Sequence, residues 1–277
     1  MKKFAVAAAS LVFSASAFAS PMTITDEYWG GDRHSYTDVI GSAAKFDIQS
    51  MWVDIDASTK VMTVDISTNF GSASGGLGSF TSLTNTPLSG SQGIGFGDLF
   101  LSSTGWNPDT RGTMHEFDNH DSDLDSGGST TKWDYGVSLA NRWNGAGSAA
   151  TLYKLNGATN DDNTFLSDDF LSGGTFRNGQ EVAVDTASSN TVALTNAASM
   201  TASAGHVVFT LDLTGTDLEN IALYGLHWNM TCGNDTIEGE YDYPVPEPTS
   251  LAIMLLGLAC IGGASIRRRK IQPVEVL

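Results

Sequence analysis

The 277 residues include 31 Asp and Glu against 14 Lys and Arg, a formal net charge of −17. A surface so acidic repels nucleic acid and anionic lipid, because both need clustered cations to displace counterions, so nucleic acid is not an expected partner. Without its two ends the chain has about 225 residues, a comfortable size for a single domain with its own core.

The chain opens with Lys2 and Lys3, an apolar stretch over residues 4–13, and Ala17-Phe18-Ala19 before Ser20. A positive start, a short apolar run and small residues at Ala17 and Ala19 are the three parts of a secretory signal, read by the Sec export machinery and cleaved before Ser20. The apolar run is roughly a dozen residues, too short for the ~20 a spanning helix needs. The expected organisation is a signal peptide over 1–19, an extracytoplasmic body over 20–243, a tail signal over 244–270 and a short end over 271–277. In the body, eight cations face 29 acids, a charge near −21 that favours solubility and divalent cations.

Near the start of the body is a dense stretch, Tyr28-Trp29-Gly30-Gly31-Asp32-Arg33-His34-Ser35-Tyr36-Thr37-Asp38-Val39-Ile40-Gly41. After it, apolar residues alternate with polar ones: Met51, Val53 and Ile55, then Met62, Val64 and Ile66, across a polar connection at 57–60. A period of two with a four-residue link predicts a β-hairpin. The alternation returns in Trp133-x-Tyr135-x-Val137-x-Leu139, in Val182 and Val184, in Val207-x-Phe209-x-Leu211-x-Leu213, and from Ala222 to Met230. No body segment keeps a 3.6-residue period over three turns. Roughly ten short strands, separated by Gly, Ser, Asn and Asp loops, predict an all-β body with one face packed and one wet: an antiparallel β-sandwich of jelly-roll type.

Two acidic loops interrupt these strands. In the first, Asp118, Asp121, Asp123 and Asp125 place carboxylates at close spacing, which suits Ca²⁺ and its six to eight oxygen ligands. The EF-hand pattern fails there, with Ser126 at the glycine position and Lys132 where a bidentate Glu belongs. A solvated loop is the simpler expectation, and no cofactor beyond that optional Ca²⁺ is implied. The second loop, with Asp161, Asp162, Asp168 and Asp169, has the same ambiguity.

His115-Glu116 and His120 have the wrong spacing for a zinc helix, and no nucleophile elbow or phosphate loop occurs. No catalytic residue stands out, so the expectation is a protein that is not an enzyme. Cys232 is the single thiol of the body, and Cys260 lies in the apolar tail, so a disulfide framework is excluded. Cys232 is left as a buried small hydrophobe or a free thiol for an intermolecular bridge.

A second dense stretch runs His227-Trp228-Asn229-Met230-Thr231-Cys232-Gly233-Asn234-Asp235-Thr236-Ile237-Glu238-Gly239. Aromatics beside Asp, Asn and His suit a glycan site, in which rings stack on sugar faces and polar groups bond hydroxyls. The residues for that role are Trp29, Asp32, His34, Asp38, His227, Trp228, Asn234 and Asp235. The alternative has the tryptophans filling the core while the polar residues satisfy buried turns.

The C-terminus carries Pro244-Val245-Pro246-Glu247-Pro248, an uncharged apolar run over 251–266, and Arg267-Arg268-Arg269-Lys270. Three prolines in five residues make an extended spacer. A helix over 249–266 is about the length that spans a bilayer, with the cations held on the cytoplasmic side. A Pro-Glu-Pro box, a short apolar helix and a basic cluster, in that order, resemble the PEP-CTERM sorting signal of Gram-negative bacteria. Residues 271–277 extend past the point where such tags stop. The resemblance implies recognition by an exosortase, passage through the inner membrane, delivery to the cell surface or beyond, and association with exopolysaccharide. The two dense stretches, with Gly97-Asp98-Leu99-Phe100-Leu101-Ser102 and Arg177-Asn178-Gly179-Gln180-Glu181-Val182, also resemble segments shared by surface proteins with this tag. That resemblance brings no catalytic residues. A carbohydrate-binding module and a Ca²⁺-dependent adhesive domain are the other functions the sequence admits.

Overall fold

The β2–β3 hairpin shows how the sequence builds this body. In a computed structural model that describes residues 20–26, 38–70, 92–107, 131–203 and 205–243, β2 (Ile48–Ile55) and β3 (Val61–Thr68) pair antiparallel with Val53 opposite Val64. Met51, Val53, Ile55, Met62, Val64 and Ile66 are all buried on one face, as the alternation predicts. The turn is fixed by Asp56, whose Oδ1 accepts the Ser58 and Thr59 amides at 2.7 and 3.0 Å. The Ser58 hydroxyl, donating to the same oxygen at 2.6 Å, and then these two amides favour the charged carboxylate and lower its pKa to about 2. Lys60 completes the turn in the left-handed region, at φ 59°.

The other strands are β1 (Met22–Thr25), β4 (Leu99–Ser102), β5 (Tyr135–Leu139), β6 (Gly147–Leu155), β7 (Thr164–Leu166), β8 (Glu181–Val184), β9 (Thr191–Ser203), β10 (His206–Asp212), β11 (Leu223–Asn229) and β12 (Thr236–Asp242). Two single-turn helices, α1 (Ala43–Phe46) and α2 (Ser167–Phe170), sit between strands. Ten strands form one sheet in the order β1-β2-β3-β10-β9-β6-β5-β4-β11-β12, with every pairing antiparallel. The all-β, antiparallel expectation is met, but the arrangement of a jelly-roll sandwich is not.

In place of two stacked sheets, one continuous sheet rolls into a nearly closed barrel. The two edges approach so closely that a Cβ on Gly239 of β12 would lie 2.5 Å from Cγ2 of Ile24 on β1. Glycine at 239 is what lets the seam close. Alternation reports one packed face per strand and does so equally for a sandwich and a barrel.

A small second sheet, β7–β8, covers part of the outside. There Val184 occupies the space that a side chain on Gly136 would need, 2.5 Å from its Cβ position. Phe100, Trp133, Leu155 and Val184 form an apolar cluster on that outer side, separate from the main core. β4 and β5 are consequently buried on both faces. All described residues belong to one compact unit, Ala19–Tyr243. Among them no helix is long and apolar enough to cross a membrane. The expected spanning helix over 249–266 lies outside the described residues.

Candidate functional site

Three distant segments converge where β12 begins. Residues 230–235 form a tight turn in which Gly233 takes φ +57°, and a Cβ there would meet the Gln180 side chain at 3.0 Å. Arg177, wholly buried, donates from Nε to the Gly233 carbonyl at 3.0 Å and from Nη2 to the Asp38 carbonyl at 2.6 Å. Asn234 donates from Nδ2 to the carbonyls of Ile40 and Thr175 at 2.9 and 3.2 Å, while its own carbonyl accepts the Ile40 amide at 2.7 Å. Two side chains thus tie residues 38–40, 175–177 and 233–234 together.

Asp235 stands at the centre of this knot. Its Oδ2 accepts the Ile48 amide at 2.6 Å and its Oδ1 the Thr236 amide at 2.9 Å. Ile48 opens β2 beside a register shift in the β2–β3 ladder, so the carboxylate serves a strand-end amide across the barrel seam.

Carboxylate oxygens of Asp26, Asp38 and Asp235 all lie within 4.8 Å of one another. Burial, then the charges of Asp26 and Asp38, push the Asp235 carboxyl well above the usual range, and the Arg177 guanidinium only partly offsets this. Burial and the Asp47 charge likewise raise Asp38, again against Arg177. Such a group of acids either shares a proton or accepts a hard cation.

A second polar network lies under β7–β8. His227 and Glu238 face each other in the β11–β12 register, with Nδ1 to Oε1 at 2.7 Å and both side chains fully enclosed. The other ring nitrogen, Nε2, meets the Glu181 carbonyl at 2.8 Å. The Asn229 amide nitrogen, Nδ2, also approaches Nε2 at 3.3 Å, so both ring nitrogens are engaged inside the protein. Trp106 donates to the other Glu238 oxygen at 2.9 Å, and Asn160 donates to Glu181 Oε1 at 3.1 Å. Trp133 and Phe100 pack on the imidazole at 5.3 and 5.7 Å between ring centroids.

Asp98 is a third hub. It accepts the Leu139 and Val184 amides at 3.0 and 2.8 Å and pairs with Arg142 at 3.2 Å.

The structure brings together Asp38, Asn234 and Asp235 from the residues the sequence singles out. It places His227 and Trp228 elsewhere, wholly buried, so neither offers a ring face to a sugar. Trp228 fills the main core and donates to the Gly97 carbonyl at 3.2 Å. Trp29, Asp32 and His34 lie outside the described residues, as do Asp118, Asp121, Asp123 and Asp125, Ala17 and Ala19, and the tail residues Val245, Pro246, Glu247, Pro248, Arg267, Arg268 and Arg269. Ser20 is exposed.

Asp26, Arg177, Glu238 and the Asp98–Arg142 pair escape sequence reasoning, since their partners lie on other strands. The sequence signal is that Asp98 and Arg177 fall in segments that resemble those of surface proteins with this tag, and Glu238 in the second dense stretch. Cys232 is buried, and burial pushes its thiol up to about 12, so it remains a protonated apolar side chain unsuited to bridging.

Residues 244–270 match the family model of the PEP-CTERM protein-sorting motif. No curated protein and no solved structure matches the chain.

Proposed function

From the PEP-CTERM sorting motif that this chain carries, which marks an exported, membrane-transiting protein sorted to the cell surface by an exosortase, we propose a non-catalytic component of the cell surface or extracellular matrix that associates with the cell's exopolysaccharide. The motif at 244–270 is the observation that carries this reading.

The body supports it in two ways. Among the described residues, polar side chains of the segments singled out in the sequence fasten strands together: Asp98 and Asp235 hold backbone amides, and His227 is enclosed against Glu238 and the Glu181 carbonyl. A strongly acidic, β-rich body without a disulfide framework also suits a soluble protein that works among neutral polymers.

Cell fractionation tests the proposal. The native protein belongs in the surface or extracellular fraction, and replacing Pro246 and Glu247 by Ala should strand it at the inner membrane. Identical distributions for the two would overturn it.

A further inference from the structure

The outer face of β1, β2, β3, β10 and β9 carries aligned rows of polar side chains. Because side chains alternate along a strand, the residues opposite the packed Met51, Val53, Met62, Val64, Val207 and Phe209 all point outward together. The registers align them into rows that cross five strands. One row is Thr23, Trp52, Asp65, Val208 and Thr201. A second is Thr25, Ser50, Ser67, His206 and Ser203, and a third, without β1, is Asp54, Thr63, Thr210 and Ser199. At about 4.8 Å between strands, five strands give a surface roughly 19 Å wide.

This face is a bed of hydroxyls around one aromatic ring. Trp52 is 37% exposed and is the one tryptophan among the described residues that stands among the exposed large hydrophobics. An indole laid on a sheet and surrounded by hydroxyls and carboxylates has the chemistry of a sugar platform: the ring stacks on the apolar face of a pyranose, and the polar rows bond its hydroxyls. The charges choose the polymer. Asp54 and Asp65 lie beside Trp52, His206 holds Asp65 at 2.8 Å between Nδ1 and Oδ1, and these rows contain no Lys or Arg. An anionic polysaccharide is repelled both here and by the chain's net charge of −17. A protein partner would find a polar face with a single large apolar anchor, whereas the centre of a protein interface is apolar and poor in charge.

We propose that the Trp52 face binds a neutral polysaccharide chain, with the indole as stacking anchor and the Ser and Thr rows as hydroxyl partners. The proposal rests on the exopolysaccharide association above and gives it a site.

Affinity electrophoresis tests it, in native gels cast with dextran, with hydroxyethylcellulose, with the neutral polysaccharide fraction of the producing cells' own medium, and with alginate as the anionic polymer. The native protein should be retarded by a neutral polymer and not by alginate. Trp52→Ala should weaken the retardation about tenfold, the loss expected for one aromatic stacking contact, and Trp52→Tyr should recover part of it. The indole is 37% exposed and otherwise packed on the sheet, so the melts of both variants are measured alongside and retardation is compared at a temperature where all three proteins are folded.

Absence of retardation in every neutral polymer, or retardation unchanged in Trp52→Ala, would overturn the proposal. So would a Trp52-dependent dimer seen by sedimentation without polymer, which would give the face to a second copy of the chain. Fractionation of Trp52→Ala cells keeps the two readings apart: lost glycan binding with normal sorting concerns only this surface, and failed sorting of the native protein concerns the function proposed above.

Discussion

β2, β3 and β10 bury one face and leave the other wet, whereas β4, β5 and most of β11 and β12 are buried on both. The difference lies in the covering layer. Once β7–β8 and its apolar cluster lie over the outside of β4, β5 and β11, the polar positions of the alternation no longer reach water. Ser102, His227, Asn229 and Glu238 then need partners within the protein, because a buried polar group left unmatched costs free energy. The open half keeps Thr, Ser and Asp in solvent and is free to meet a ligand. The covered half therefore holds the fold, and the open half presents a surface.

Substitutions can break this contrast, beginning with the largest expected effect. Asp98→Ala removes the acceptor for two buried amides and leaves Arg142 without its carboxylate. About 3–5 kcal/mol of stability should be lost in urea melts. A loss under about 1 kcal/mol would mean that the covered half does not depend on its polar hub.

A smaller effect, of opposite sign, is expected at the seam. Asp235 and Asp38 have folded-state pKa values raised above their ordinary range. The stability they contribute is thus complete below the unfolded value near 4 and lost as pH rises through the folded value. Asp38→Asn takes one like charge away from Asp235. At pH 8 the variant should melt above the native protein by less than about 1 kcal/mol, given the partial exposure of Asp38, and the gap should close as pH falls towards 4. Melting both proteins with added Ca²⁺ separates the two chemistries open to the cluster. If the native protein then overtakes the variant, the three carboxylates hold a cation; if the gap is unchanged, they share a proton.

The smallest effect belongs to the open half. Thr210→Ala on β10 should leave stability within about 0.5 kcal/mol of native, as for an exposed position with no buried partner. A larger loss would show that the outer rows also help to hold the barrel.

The same contrast explains what the sequence made legible. Met51 to Ile66 could be read as a hairpin, turn included, because the open half obeys a strict period of two. Barrel closure could not, since it depends on Gly239 letting β12 meet Ile24 of β1, and no periodicity records a contact between strands so far apart in the chain. The polar sites were half legible. Asp38, His227, Asn234 and Asp235 stood out by composition. Their partners Arg177 and Glu238 came into view only when turns and strand register brought them near. The sugar-binding chemistry expected of Trp228 and His227 has no access where these residues lie. Trp52, which the alternation of Met51, Val53 and Ile55 leaves on the outward face, is the one tryptophan among the described residues that stands with the exposed large hydrophobics.

The sorting function turns on the tail. The intact mass of the protein should be measured from cells with an exosortase and from cells lacking it. A chain beginning at Ser20 and ending within residues 244–248, found only when the exosortase is present, is the predicted result; an uncut tail in both would contradict the sorting function from which the rest proceeds.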